Sequence, residues 1–172
     1  MILVNGRDEQ IGTMEKMEAH QKGLLHRAFS VFIFNSNGEL LLQQRALGKY
    51  HNGGLWTNTC CSHPLPGEDV MSAAHRRLSE EMGITTSLSH AFNFTYRATF
   101  PNGLTEHEYD YVFTGTYDGE INIDESEVSD FCFKTIKDLE TSIQLHPLTY
   151  TEWFKIAFPR IVLFYENNFA KI

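Results

Sequence analysis

The chain has 172 residues, 42% of them hydrophobic and 13% aromatic, with a formal net charge of −8. That length suits one domain with a sizeable core and is short for two. The acidic balance argues against a nucleic-acid footprint or a polybasic membrane surface, and no apolar run approaches the roughly 18 residues of a membrane span. The opening MILVNGRDEQ is far too short to act as a signal peptide. The cysteine count is odd, at 3, and Cys60 and Cys61 are adjacent, which is no disulfide framework. A reducing cytoplasm is therefore the expected compartment.

In chain order, residues 2–5 read as a short strand, and Thr13 stands where it could cap a helix running to Gly23. Lys16 and His20 are four apart on that helix and share a face. Alternation predicts a strand over 26–34 with His26, Ala28, Ser30, Phe32 and Phe34 on one side. Asn35–Gly38 then turns the chain into a second strand, Leu40–Arg45, so the pair reads as a hairpin. Residues 46–68 form a long connection rich in Gly, Asn, His and Pro, and connections of that length tend to be functional. A helix follows from Asp69 to Met82, ended by Gly83. Strands are predicted near 91–100, 104–116 and 128–134, then helices near 135–142 and from Thr149 to Asn167. Thr149 and Glu152 fit a capping box at that last start, and Pro159 is expected to kink the helix. Strands mixed with helices on both sides predict an α/β architecture, a mixed β-sheet sandwiched between α-helices.

Chemistry concentrates in three places. The stretch WTNTCCSHP (Trp56–Pro64) puts the Cys61 thiol beside the His63 imidazole, just ahead of a helix rich in Glu and Arg. Farther on, alternation in a strand places Glu106 and Glu108 on one face. For the helix alone, the plain interpretation is a solvated surface carrying Arg–Glu pairs worth a few tenths of a kcal/mol each. Its spacing nevertheless resembles the Nudix box, running through Glu68, Arg76, Arg77, Leu78, Glu80, Glu81, Gly83 and Ile84. In that family the glutamates hold divalent cations against a diphosphate. Two positions depart from the box: Ser62 replaces its first Gly, and Arg77 replaces the Glu of the Arg-Glu pair. Losing a carboxylate there weakens the case for hydrolysis, while the added cation favours a bound diphosphate.

The stretches Thr13–His20, Leu25–Asn35, Leu41–Tyr50, Trp56–Pro64 and Tyr96–Glu108 resemble the type I isopentenyl-diphosphate δ-isomerase family, a Nudix-fold branch. The resemblance implies one Nudix-type isomerase domain over residues 1–172. It implies that Cys61 serves one face of the substrate, and Glu108, assisted by Tyr96, the other. Glu108 and Tyr96 are expected to protonate the alkene and Cys61 to remove the second proton, exchanging roles in reverse. With a metal and cations beside it, Cys61 is accordingly expected to lie near its thiolate, whereas Cys60 and Cys132 read as inert. His20, His26, His63, Glu106 and Glu108 are implied to hold a metal, and mixed imidazole and carboxylate ligands suit Mn²⁺, Zn²⁺ or Fe²⁺ better than Ca²⁺. Glu81, with the Cys61 backbone carbonyl, is implied to hold Mg²⁺ on the diphosphate. Lys16, Arg45, Lys49 and Arg77 match the family's substrate-binding positions, and Trp153 would offer a π face to a carbocation. Glu80 has no assigned role, and His51, His75, His90, His107 and His146 read as surface or hydrogen-bonded histidines. The expected substrate is isopentenyl or dimethylallyl diphosphate, with no nucleic-acid or membrane partner, and the expected state is a monomer or weak homodimer. A Nudix hydrolase of nucleoside diphosphate derivatives and a catalytically silent binding module are the alternatives.

Overall fold

The computed structural model describes residues 1–49 and 51–168; Tyr50, at the end of the Leu41–Tyr50 motif, lies outside them. Among the described residues, nine strands form one mixed sheet. They are β1 Ile2–Val4, β2 Gln10–Thr13, β3 His26–Phe34, β4 Leu40–Arg45, β5 Trp56–Thr57, β6 Cys60–Ser62, β7 Leu88–Thr99, β8 Thr105–Thr116 and β9 Val128–Lys134. The helices are α1 Lys16–Lys22, α2 Val70–Met82, α3 Ile136–Leu145 and α4 Glu152–Asn168.

β3 is the spine of the sheet. β8 runs parallel to it along its whole length, from His26 beside Glu108 to Phe34 beside Thr116. A parallel pair needs a long crossover, and α2 lies within that connection. The other edge of β3 meets β1, β6 and β4 in turn. The expected β3–β4 hairpin is thus paired only at its mouth, Phe34 beside Leu40, after which β4 turns to β9 and β5.

Both faces of β3 are buried, which is why it reads as a nearly unbroken apolar run. Phe29, Val31 and Ile33 face α2, whose Ala73, Ala74, Leu78 and Met82 form the buried stripe. Phe32 and Phe34 face the opposite layer, where Leu139 of α3 and Phe154, Phe158 and Ile161 of α4 cover them. Each fully buried Phe or Leu here contributes about 1.5–3 kcal/mol.

Several local expectations need correction. Thr13 ends β2, and the cap of α1 is Glu15, whose carboxylate accepts from Glu18 N at 3.0 Å. Two short strands, β5 and β6, interrupt the connection 46–68. Thr149 belongs to a 3₁₀ turn, Pro147–Thr149, and bonds back to the His146 carbonyl, so it caps nothing in α4. Helix α4 runs through Pro159 as one helical span, with Pro159 inside it as expected. β7 begins three residues earlier than expected, and its pairing with β8 shifts register between His90 and Phe92.

Candidate active site

Sheet register assembles the chemistry. Parallel pairing sets His26 beside Glu108, and antiparallel pairing of β7 sets Tyr96 on the other side of the same residue. β6 pairs with β3 so that Cys61 lies opposite Ser30, with His63 following directly. Alternation along β8 keeps Glu106, Glu108 and Asp110 on one face. Helix α1 delivers Lys16, α2 delivers Arg77 and Glu81, and α4 delivers Trp153 to one pocket of about 140 Å³. Of the residues expected from the sequence to act in catalysis or binding, all line this pocket except His20 and His26, which lie beyond its wall.

Those two histidines form a separate group with His63 and Glu108, in which the potential ligand atoms all lie within 4.8 Å of one another. His26 Nδ1 contacts the Leu24 carbonyl at 2.8 Å and so carries a proton. A neutral ring then turns the Nε2 lone pair toward Glu108 Oε1, 3.5 Å away. Two acceptors facing one another repel unless a proton or a cation lies between them. A second proton would make an imidazolium there. Burial alone would raise the Glu108 pKa, but hydrogen bonds from His26 and His63, with the proton on the nitrogen that faces it, hold it well below the usual carboxylate range. Burial, reinforced by His26, pushes the His20 pKa down to about 4. Burial likewise pushes His63 down to about 3, against the pull of Glu108 at 3.0 Å. The imidazoles of His20 and His63, kept neutral by burial, with the His26 ring and the Glu108 carboxylate beside them, are the donor set of a divalent cation site. Glu106, the fifth ligand implied by resemblance, stands beside this group, with Oε1 2.6 Å from His51 Nε2.

Tyr96 connects the two glutamates. Its hydroxyl lies 2.8 Å from Glu108 Oε2 and 3.1 Å from Glu106 Oε2. Burial and the two carboxylates push the Tyr96 pKa well up, so the hydroxyl keeps its proton. Burial, then the Glu108 charge, pushes Glu106 up to about 8. Cys61 differs from expectation. Its thiol is raised well above the usual value because burial, with Glu81 and Glu108, outweighs Arg45. Protein charges alone leave it as the thiol.

The basic pole holds Lys16, Arg45, Lys49 and Arg77. Arg77 donates to Glu81 Oε1 and to Glu80 Oε2, both at 2.6 Å, and lies 3.3 Å from Glu127. Glu127 also pairs with Lys49, so one carboxylate spans two of the four cations. Gln43 donates to the second oxygen of Glu81 at 2.9 Å and fixes that side chain. The Arg45 guanidinium lies over the Trp153 ring, 5.2 Å from its centroid, so that face of the indole already carries a cation. Glu68 and Glu80 are outside the pocket. Glu68 grips Arg76 with both oxygens and ties down Leu65 N, and exposed Glu80 joins Arg76 and Arg77.

The NUDIX domain family matches residues 24–154. An isopentenyl-diphosphate delta-isomerase of Pectobacterium atrosepticum is 50% identical over 161 residues, covering 94% of this chain and 90% of that one. One from Burkholderia multivorans is 48% identical over 160 residues, covering 93% and 91%. The chain belongs to the isopentenyl-diphosphate delta-isomerase family. Among solved structures, a protein of Deinococcus radiodurans superposes with a TM-score of 0.71 at 21% identity, covering 84% of this chain and 88% of that one. A MutT protein of Methanosarcina mazei gives a TM-score of 0.67 at 21% identity, covering 84% and 96%. At that identity the likeness concerns the Nudix fold alone.

Within this isomerase-family site, three residues were not singled out from the sequence. Glu127 sits in an acidic run, IDESE, with nothing local to distinguish it, and Gln43 is one of two adjacent glutamines. His51 is the third. It is hydrogen-bonded, as one of the two plain interpretations had it, but it lines the pocket. Its position in a Gly/Asn turn two residues after Lys49 was the available signal. His107, by contrast, contacts the Gly23 carbonyl, and His90 contacts Asn93.

Proposed function

We propose that the chain is an isomerase that interconverts isopentenyl and dimethylallyl diphosphate in isoprenoid biosynthesis. The observation that carries this reading is one pocket lined by Cys61, Tyr96 and Glu108, with a pole of four cations. Moving the double bond requires adding a proton to one carbon and removing one from another, through a tertiary carbocation. Tyr96 and Glu108 serve one face of the substrate and Cys61 the other. In the forward direction Glu108, relayed through the Tyr96 hydroxyl, gives up a proton, and Cys61 accepts one. The resting charges, with Glu108 ionised and Cys61 protonated, are those the forward reaction leaves behind, so this state is primed for the reverse. Lys16, Arg45, Lys49 and Arg77 anchor the diphosphate, and Trp153 walls the carbocation.

His20, His26, His63 and Glu108, joined by Glu106, would hold one Mn²⁺ or Zn²⁺, and Glu81 with the Cys61 carbonyl would hold Mg²⁺. Such ions would supply positive charge that neutralises the diphosphate and would orient Glu108. The buried His/Glu group fits the first ion, because facing acceptors need a cation between them. The enzyme is taken to act in the cytoplasm as one domain over residues 1–172, as a monomer or weak homodimer. The hydrolase alternative is disfavoured by Arg77, a cation standing where the Nudix box has a glutamate.

A proton NMR time course in D₂O with isopentenyl diphosphate, Mg²⁺ and trace Mn²⁺ or Zn²⁺ tests the reading. Deuterated dimethylallyl diphosphate should appear with the natural chain and not with Cys61→Ala. A folded, metal-replete protein that forms no isomer would sink it.

A further inference from the structure

We infer that His51 is a positioning residue for proton transfer, holding Glu106 so that the Tyr96 hydroxyl is directed to Glu108; this rests on the isomerase reading above. The connection between β4 and β5 is built to turn this ring inward. Arg45 N bonds to the Leu55 carbonyl and Gly54 N to the Arg45 carbonyl, closing a tight return. Asn52 and Gly54 both adopt left-handed backbone, at φ 52° and 79°. A Cβ on Gly53 would meet the Leu47 carbonyl oxygen at 2.6 Å, so the chain passes where only glycine fits. The His51 side chain is left 8% exposed. Its ring sits between Phe100 and Trp153, with centroids 5.5 and 5.9 Å away.

From that slot Nε2 reaches Glu106 Oε1 at 2.6 Å, a short hydrogen bond. Holding one oxygen fixes the other. Glu106 Oε2 stays 3.1 Å from the Tyr96 hydroxyl, while Glu108 Oε2 is nearer at 2.8 Å. Tyr96 has one proton and two carboxylates in reach, so the orientation of Glu106 decides which of them receives it. Without His51, Glu106 rotates and competes for the Tyr96 proton. The damage then falls on the chemical step and leaves diphosphate binding intact.

The test compares His51→Gln, His51→Asn and His51→Leu in the metal-loaded enzyme. Readouts are kcat, KM, bound metal and thermal midpoint. Glutamine can place an amide N–H near the position of Nε2; asparagine falls short, and leucine has no donor. His51→Leu and His51→Asn should lose about ten- to hundredfold in kcat, with KM and bound metal within about twofold of the natural chain. His51→Gln should recover most of the loss. If His51→Leu fails to fold, the Gln/Asn pair still decides. Equal kcat for those two overturns the inference, as does unchanged kcat in all variants. Loss of metal in step with kcat would instead make His51 part of the metal centre, and a raised KM alone would make it a substrate contact. A natural chain without isomerase activity would fail the underlying reading, and an active natural chain with indifferent variants fails only this one.

Discussion

Replacing Asp8 should loosen a metal site it never touches. Asp8 turns the β1–β2 hairpin with left-handed backbone at φ 63°, an unusual conformation for a residue with a side chain. Its carboxylate accepts from Arg27 Nε at 2.7 Å and from the Tyr111 hydroxyl, tying the hairpin to β3 and β8. The ion pair is 17% exposed on the arginine and 13% on the aspartate, so water screens it little. Asp8→Ala removes two hydrogen bonds to a charged group, each taken at about 1.5 kcal/mol, the low end for such bonds. It also puts alanine in left-handed backbone, at about 1 kcal/mol more. The expected loss is about 4 kcal/mol, or about 12 °C in thermal midpoint for a chain of this size. Asn tolerates the backbone and keeps one acceptor, so Asp8→Asn should lose only about 2 kcal/mol. Urea unfolding of the metal-free protein measures both. Because the hairpin leads directly into α1, which carries Lys16 and His20, metal titration of Asp8→Ala should also show weaker binding. An Asp8→Ala protein within 1 kcal/mol of the natural chain, or no weaker than Asp8→Asn, would refute the reasoning.

His20, His51 and His63 have folded pKa values depressed to about 4, 3 and 3, in each case chiefly by burial. The unfolded chain therefore takes up protons first, and their contribution is complete above about pH 6.5 and lost as pH falls toward about 3–4. Urea midpoints of the metal-free protein should fall between pH 6.5 and 4, with a slope of up to about 1.4 kcal/mol per pH unit for each histidine; a flat profile would contradict the burial argument. Arg77→Ala strips Glu81 of its ion pair and the diphosphate of an anchor. Stability should drop by about 3 kcal/mol, with KM raised more than kcat is lowered, as steady-state kinetics would show.

How much was legible depended on length of pattern. β3, β8 and α2 carry long periodic runs and were placed within a residue or two, and with them came Glu106, Glu108, Arg77 and Glu81. β2, Gln10–Thr13, has no buried face, so it lacks the alternation that marks a strand. β5 and β6 are two and three residues long, too short to show any period, and they exist because β4 and β3 offer open edges. His51 was passed over because its partner, Glu106, is 55 residues away, and only the closed turn at Asn52–Gly54 brings them together. The direction in which the protein pushes the Cys61 thiol was hidden for a related reason. A neighbouring histidine is visible in sequence, whereas the nearby Glu81 and Glu108 carboxylates come from distant elements.

The pairing of β8 with both β3 and β7 has a consequence for how this chain can change over time. Side chains along Thr105–Asp110 can be exchanged one by one, but β7 fixes the spacing of that whole segment and β3 locks it from the other side from Glu108 onward. A single inserted residue between Glu106 and Glu108 would send the two carboxylates to opposite faces while leaving most of the strand hydrogen bonds available. Such a chain would still fold, and its metal and proton-transfer groups would be parted at a stroke. The turn at Pro101–Gly103 lies outside both ladders and can absorb the same insertion. Families that keep this chemistry should therefore vary in length at the turn and hold it constant in the strand.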